Sequence, residues 1–292
     1  MTDWDGQGLP PAAAARVRRA AETKVRSSLL SAPAAAALGW TGLEPVGEVM
    51  GCVVMHLGWS GWGCRAYNRW GGSINNSYVP PEFSGGGSTY QPYVRAVYRG
   101  YEQALRRLLL EAQALGADGV VGVRWTQKRV DGVHNHEFVA LGTAVRATAG
   151  PRPAHLFSTD LPGQDVAKLM LSGWMPVGLA IGVSVGVKHN DYYTRWQARQ
   201  FSTTNQEVTG YSELVYGVRA DARAQFGRRA ARLGGDSAIA SRISLDTWEQ
   251  EYNNHRDHVA QCFVIGTGLA RFDRTSRPTE PPALTVLPLT TR

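Results

Sequence analysis

Residues 116–125 read Gly-Ala-Asp-Gly-Val-Val-Gly-Val-Arg-Trp, and residues 234–243 read Gly-Gly-Asp-Ser-Ala-Ile-Ala-Ser-Arg-Ile. Gly116, Asp118 and Arg124 thus recur as Gly234, Asp236 and Arg242, 118 residues on, and Tyr93 and Tyr98 recur at the same offset as Tyr211 and Tyr216. Upstream, Pro45-Val46-Gly47 followed by Gly51 returns 131 residues later as Pro176-Val177-Gly178 followed by Gly182. Downstream, Gly142-Thr143 and His134 return 124 residues later as Gly266-Thr267 and His258. Ordered blocks whose offset changes only between blocks mark a duplication that kept the elements and altered the loops.

Each copy reads as strand, long loop, helix, strand, strand. In the first, Val46 to Met55 is a β-branched strand interrupted by glycines, and a helix is expected from Tyr93 to Leu115 with Pro92 in its first turn. Val94, Val97, Tyr98, Tyr101, Leu105, Leu108, Ala112 and Leu115 share one face, while Arg95, Arg99, Glu102, Arg106 and Glu111 take the other. Gly116 stands where a helix end needs positive φ. Gly119 to Trp125 and His136 to Ala147 follow as strands around an Asp131-Gly132 turn. The second copy repeats this with a helix from Tyr211 to Leu233, an Asn253-Asn254 turn and a closing strand Val259 to Ala270. Its helix carries Arg219 and Arg223 where the first has Tyr101 and Leu105. One helix and three strands leave uncovered edges, so the modules are expected to pair with each other, or several chains to do so. Outside them, a helix is expected over Ala12 to Leu30, and Asp165 to Leu171 and Pro33 to Leu38 occupy equivalent places before each module. The expected organisation is an N-terminal helical extension (1–42), a first module (43–148), a linker with a short helix (149–171), a second module (172–272) and a flexible Pro/Thr-rich tail (273–292).

Composition agrees. A chain of 292 residues has the length of about two domains. Hydrophobic residues at 43% against 19% charged can build cores, and no apolar run approaches the roughly 18 residues of a membrane span. No apolar stretch near the start is followed by a cleavage site, so no secretory signal is expected. The net charge of +7 is scattered and almost wholly arginine, which does not point to a nucleic-acid partner. The 3 cysteines, widely spaced, fit reduced thiols in a cytoplasm.

The Pro-Val-Gly strand, the helix ending in Gly116-Ala117-Asp118-Gly119-Val120-Val121-Gly122-Val123 and the closing Ala140-Leu141-Gly142-Thr143-Ala144-Val145 resemble the YbjQ-like family, catalogued as heavy-metal-binding. The stretch Gly51 to Trp59 resembles tandem, actinobacterial versions. The resemblance implies an α+β protein of two dodecin-like β-α-β-β modules, assembled into a ring or cage as a homo-oligomer. Gly235, Ser237 and Gly268 depart from the pattern and put a shared site in the second copy in doubt.

Chemistry is sparse. His134-x-His136 could clamp a divalent or heavy metal ion from one side of a strand, and His255-x-x-His258 lies at the matching hairpin. Against this, soft metals favour thiolate and closed sites need three or four ligands, so solvated hairpin histidines are the competing reading. Cys52 and His56 share a strand face, with Cys52 read as core. Asp118 and Asp236 read as turn chemistry rather than catalysis. Arg124 and Arg242 lie on strands where each can meet a carboxylate across an interface. The loop from Leu57 to Tyr93 is the candidate binding segment: Trp59, Trp62, Tyr67 and Trp70 interleave with Arg65 and Arg69, and Tyr78, Phe83 and Tyr90 follow. Such a loop can stack bases or sugars, or dock on a neighbouring subunit, which a ring-forming family favours. A non-enzymatic assembly or binding protein is the expected function, with metal binding through the histidines and an Arg/Trp nucleic-acid surface as the rivals.

Overall fold

The computed structural model describes residues 4, 8–22, 27–58, 78–86, 90–130, 134–150, 152–198, 205–252 and 255–272. Along the chain run α1 (Pro11–Glu22), α2 (Ala32–Trp40), β1 (Leu43–His56), β2 (Glu82–Phe83) with a 3-10 turn, α3 (Gln91–Ala114), β3 (Gly119–Arg129), β4 (Asn135–Ala147) and β5 (Phe157–Ser158). They are followed by α4 (Gly163–Leu171), β6 (Trp174–His189), α5 (Tyr192–Gln197), α6 (Thr209–Arg232), β7 (Ser237–Tyr252) and β8 (His255–Arg271). The fold is α+β. Two four-stranded sheets have the orders β1-β4-β3-β5 and β2-β6-β8-β7, so in each half the first strand pairs with the last and the last with the middle one. No helix among the described residues is long and apolar enough to cross a membrane.

Several features of one half have counterparts in the other. A register shift falls between Pro45 and Gly47 in β1 and between Pro176 and Gly178 in β6. A second shift falls just before Arg124 in β3 and before Arg242 in β7. Asp118 accepts the Ala147 N–H at 2.8 Å and Asp236 accepts the Arg271 N–H at 3.0 Å, so both aspartates tie a helix end to the last strand. Gly51 and Gly182 let each helix touch its sheet: a Cβ there would lie 1.8 Å from the Ala104 carbonyl oxygen and 2.0 Å from that of Ala222. Gly116 and Gly234 end the helices at φ of 68° and 82°. The likeness extends upstream. Leu29 N–H donates to Thr143 at 3.0 Å, and Asp160 N–H donates to Thr267 at 3.3 Å. Helices α2 and α4 follow at the same distance, and their Leu38 and Val166 share a core with Val121, Val145 and Phe157.

Each sheet borrows its fourth strand from elsewhere. β2, from the long loop of the first half, pairs with β6 through Val187 and Gly186. β5, from the segment before the second half, pairs in parallel with Gly119 and Val120 of β3.

Two sequence expectations need correction. The N-terminal helix spans Pro11–Glu22 and does not reach Leu30: the Leu29 N–H is held by Thr143, and Leu30 packs against the core that Leu38, Val121 and Val166 share. Glu111, placed on the polar face of α3, is 1% exposed. Its carboxylate takes both Arg16 donors at 2.8 and 2.9 Å and also accepts the Met50 N–H from the edge of β1.

Candidate functional site

The first half packs the outer side of α3 and the end of β3 onto the outer face of the second sheet. Residues alternate across a strand, so Ala180, Gly182 and Ser184 of β6 face α6 while Leu179, Ile181, Val183, Val185 and Val187 face away from it and join the core of the first half. Tyr98 closes the free edge of β6: its hydroxyl accepts the Val183 N–H at 2.8 Å and donates to Gln225 at 2.9 Å, and the Arg229 guanidinium lies 3.7 Å over its ring. Arg229 also pairs with Glu102 at 2.7 Å. Farther along, Tyr90 donates to Gln250 at 2.5 Å, and Gln261 donates to the Tyr93 hydroxyl at 3.2 Å. Burial pushes the Tyr93 and Tyr98 hydroxyls above their ordinary range, and that of Tyr101 up to about 12, so all three stay neutral.

Beside the first half of α3, at Tyr93 and Tyr101, the two halves separate into a cleft of about 590 Å³. Tyr93, Tyr101, Trp125, Gln127, Arg129 and His136 form one wall, and Arg242, Asp246, Trp248, Gln261 and Phe263 form the other. Tyr101 meets Trp125, Phe138 and Phe263 edge-on at centroid distances of 5.2, 5.0 and 6.2 Å.

The long loop of the first half is fastened to the second by a buried ion pair. Lys188 and Asp191 are both fully buried. Lys188 donates to Asp191 and to the Val79 carbonyl, and lies 4.1 Å from the Tyr78 ring centre. Asp191 accepts the N–H groups of Val79 at 3.0 Å and of Thr194 at 2.7 Å. Burial lowers the Lys188 pKa. Burial opposes ionisation of Asp191 as well, but Lys188 and the two N–H donors outweigh it and hold the carboxyl below its ordinary value.

Among the described residues, the matching surfaces of the other half are exposed or half-buried. Tyr216, in the place of Tyr98, is 71% exposed, and Ile243, in the place of Trp125, is 44% exposed. Arg219 and Arg223 replace Tyr101 and Leu105 on this face. At the other end, Glu48, Met50, Cys52, Val54 and His56 of β1 occupy the places of Leu179, Ile181, Val183, Val185 and Val187, and all are exposed or half-buried. Cys52, expected in the core, therefore lies half-buried on the outer face with its thiol 3.2 Å from Glu137. The alternation that faces Gly51 toward α3 turns Cys52 away.

The aromatic candidates Trp59, Trp62, Arg65, Tyr67, Arg69 and Trp70 lie outside the described residues. The described remainder of that loop rests on the second half: Tyr78 donates to Glu213, and Phe83 fills space left by Gly186 and Gly217. His134 and His136 find different neighbours. His134 meets His56 edge-on at 5.8 Å, whereas His136 bonds Gln127 at 3.2 Å and faces the cleft. His258 is 2.5 Å from the Tyr211 hydroxyl and 3.5 Å from Glu249, and burial lowers its pKa. The side chain of His255 is outside the described residues. Arg242 reaches the interface between halves, on the cleft wall with Asp246, and Arg124 stays on the exposed face. Sequence reading missed the Lys188–Asp191 anchor, although a rare lysine closing an apolar strand was a visible signal.

Among the described residues no group of three or more His, Cys, Asp and Glu is placed to hold a metal ion. The Cys52 thiol is pushed up to about 11 by burial and by Glu137.

A protein-family profile described as "Putative heavy-metal-binding" matches residues 83–148, the helix and last two strands of the first half. The chain is 30% identical over 270 residues to an encapsulin nanocompartment protein of Mycobacterium tuberculosis, covering 90% of this chain and 92% of the relative. No solved structure matches.

Proposed function

The chain belongs to the family of that mycobacterial encapsulin nanocompartment protein, and on this premise we propose that it is a non-enzymatic assembly protein whose copies add head to tail through the contact its own halves make. One observation carries the reading: among the described residues, both sides of the intrachain contact have an exposed or half-buried twin, Tyr216 with Arg219 and Arg223 at one end and the β1 face from Glu48 to His56 at the other. β7 likewise offers, at Ser237 and Ala238, the edge that β5 covers on β3 at Gly119 and Val120. Two different surfaces meet in this contact, and a heterologous contact of that kind closes into a ring or shell when its rotation permits.

The charges favour the match. Within the chain, Leu105 and Leu179 line one groove. Their twins are Arg223 and Glu48, so an apolar neighbourhood inside the chain becomes an oppositely charged one between chains. Complementary charge of this sort steers encounter and fixes register. The name of the relative brings a place in a protein compartment into view for this chain, as its shell or as something bound to it. The test is sedimentation velocity at micromolar concentration. The wild type should sediment as an oligomer, Arg223→Glu and Glu48→Arg should each shift it toward the 31.7 kDa monomer, and the two together should restore it. A wild-type monomer, or charge variants that assemble unchanged, would overturn the proposal.

A further inference from the structure

We infer that the cleft between the two halves is a binding site for a planar aromatic molecule that bears an anionic group. Its volume of about 590 Å³ falls in the range of roughly 300–1,000 Å³ found for small-molecule sites. Its walls supply flat apolar surface from Tyr93, Tyr101, Trp125, Trp248 and Phe263. Rings set edge-on to one another, as Tyr101 is to Trp125 and to Phe263, leave slots that another ring can enter by stacking or edge contact.

The polar groups define the rest of the ligand. Arg129 from the first half and Arg242 from the second stand on opposite walls, and neither makes an ion pair among the described residues. Among the described residues of the lining Asp246 is the single carboxylate, against the two arginines. A guanidinium presents a planar fork that suits a carboxylate or phosphate. Trp125 is 5% exposed, and its indole N–H has no acceptor among the described residues. A buried donor is normally satisfied, so an acceptor atom on a ligand would complete this wall. Gln127 and Gln261 add amides that fix orientation, as a few placed polar groups do in apolar pockets.

The cleft lies within one chain, so its occupancy is independent of whether copies assemble. The probes are 2-naphthoate and the isosteric neutral 2-naphthamide, titrated into the full chain by calorimetry and by quenching of tryptophan fluorescence. 2-Naphthoate should bind more tightly than 2-naphthamide. Arg129→Gln with Arg242→Gln should weaken 2-naphthoate by about tenfold, the scale of a lost charge-assisted hydrogen bond, and leave 2-naphthamide unchanged. Both arginines are exposed, so the double variant should keep the wild-type melting temperature. Trp125→Phe serves as a second variant: it should weaken both probes while removing a buried unpaired donor. No binding of 2-naphthoate at millimolar concentration, equal affinity for the two probes, or an affinity indifferent to both variants would overturn the inference.

Discussion

Replacing Asp191 with alanine should be among the most destabilising single changes in the second half. The carboxylate is fully buried and accepts three donors, the Lys188 ammonium and the N–H groups of Val79 and Thr194. Removal leaves the fully buried Lys188 ammonium with the Val79 carbonyl and the face of Tyr78. Breaking one partner of a buried ion pair costs about 3–5 kcal/mol, because the desolvated charge that remains is uncompensated. For a chain of this size that is roughly 6–20 °C in melting temperature. The pair also ties Val79 to β6, so the loss should first free the segment 78–86. The assay is thermal unfolding followed by circular dichroism, with limited proteolysis mapping early cleavage. The combined Lys188→Met and Asp191→Leu chain removes both charges and should recover most of the loss, apart from the cap on α5, worth about 1 kcal/mol. A single variant within 1 °C of wild type, or a double variant no more stable than the single, would refute the reasoning. The sign with pH follows: the Asp191 pKa is lowered on folding, so its contribution is complete above the ordinary carboxyl value and is lost as pH falls through the folded one.

Three further outcomes follow from the same geometry. Gly51→Ala and Gly182→Ala should destabilise by similar amounts, about 1–3 kcal/mol or more from overpacking, since each new Cβ meets a helix carbonyl oxygen at 1.8 or 2.0 Å; denaturant titration reads it, and a neutral result at either position would break the equivalence of the halves. Burial lowers the His258 pKa below 6.5, so its share of stability is complete above that value and falls away in acid, and His258→Gln should flatten the slope of melting temperature between pH 7 and pH 5. Arg16→Ala should release α1 and expose the Met50 N–H to hydrogen exchange, since Arg16 holds the buried Glu111 carboxylate in place; unchanged protection at Met50 would contradict that role.

The matching positions of the two halves were legible because they hold residues with special backbone or packing needs. Gly116 and Gly234 need positive φ, Gly51 and Gly182 need the absence of a Cβ, and Asp118 and Asp236 each accept a backbone N–H. Periodicity also found the helix faces that pack on their own sheets, from Val94 to Ala112 and from Leu214 to Ala230. What it could not give is the contact between halves. Tyr98 and Tyr216 hold equivalent places, yet one is 8% exposed and the other 71%, because only Tyr98 has a β6 edge to cover. β2 and β5 were invisible for a related reason: two-residue strands carry no periodic signal, and their pairing depends on a sheet formed elsewhere in the chain. Glu111 shows a third limit, since a carboxylate on a polar stripe reads as solvated until Arg16 arrives from a distant helix.

Head-to-tail addition makes its sharpest claim about Tyr216. The hydroxyl of its twin Tyr98 bonds the backbone of Val183, and the twin of Val183 is Cys52. With photoreactive p-benzoylphenylalanine in place of Tyr216, irradiation should therefore join position 216 of one copy to the β1 segment around Cys52 of the next, giving a ladder of covalent oligomers whose linked peptides mass spectrometry identifies. Linkage of position 216 only to its own counterpart, or a chain that stays monomeric under irradiation, would contradict the account.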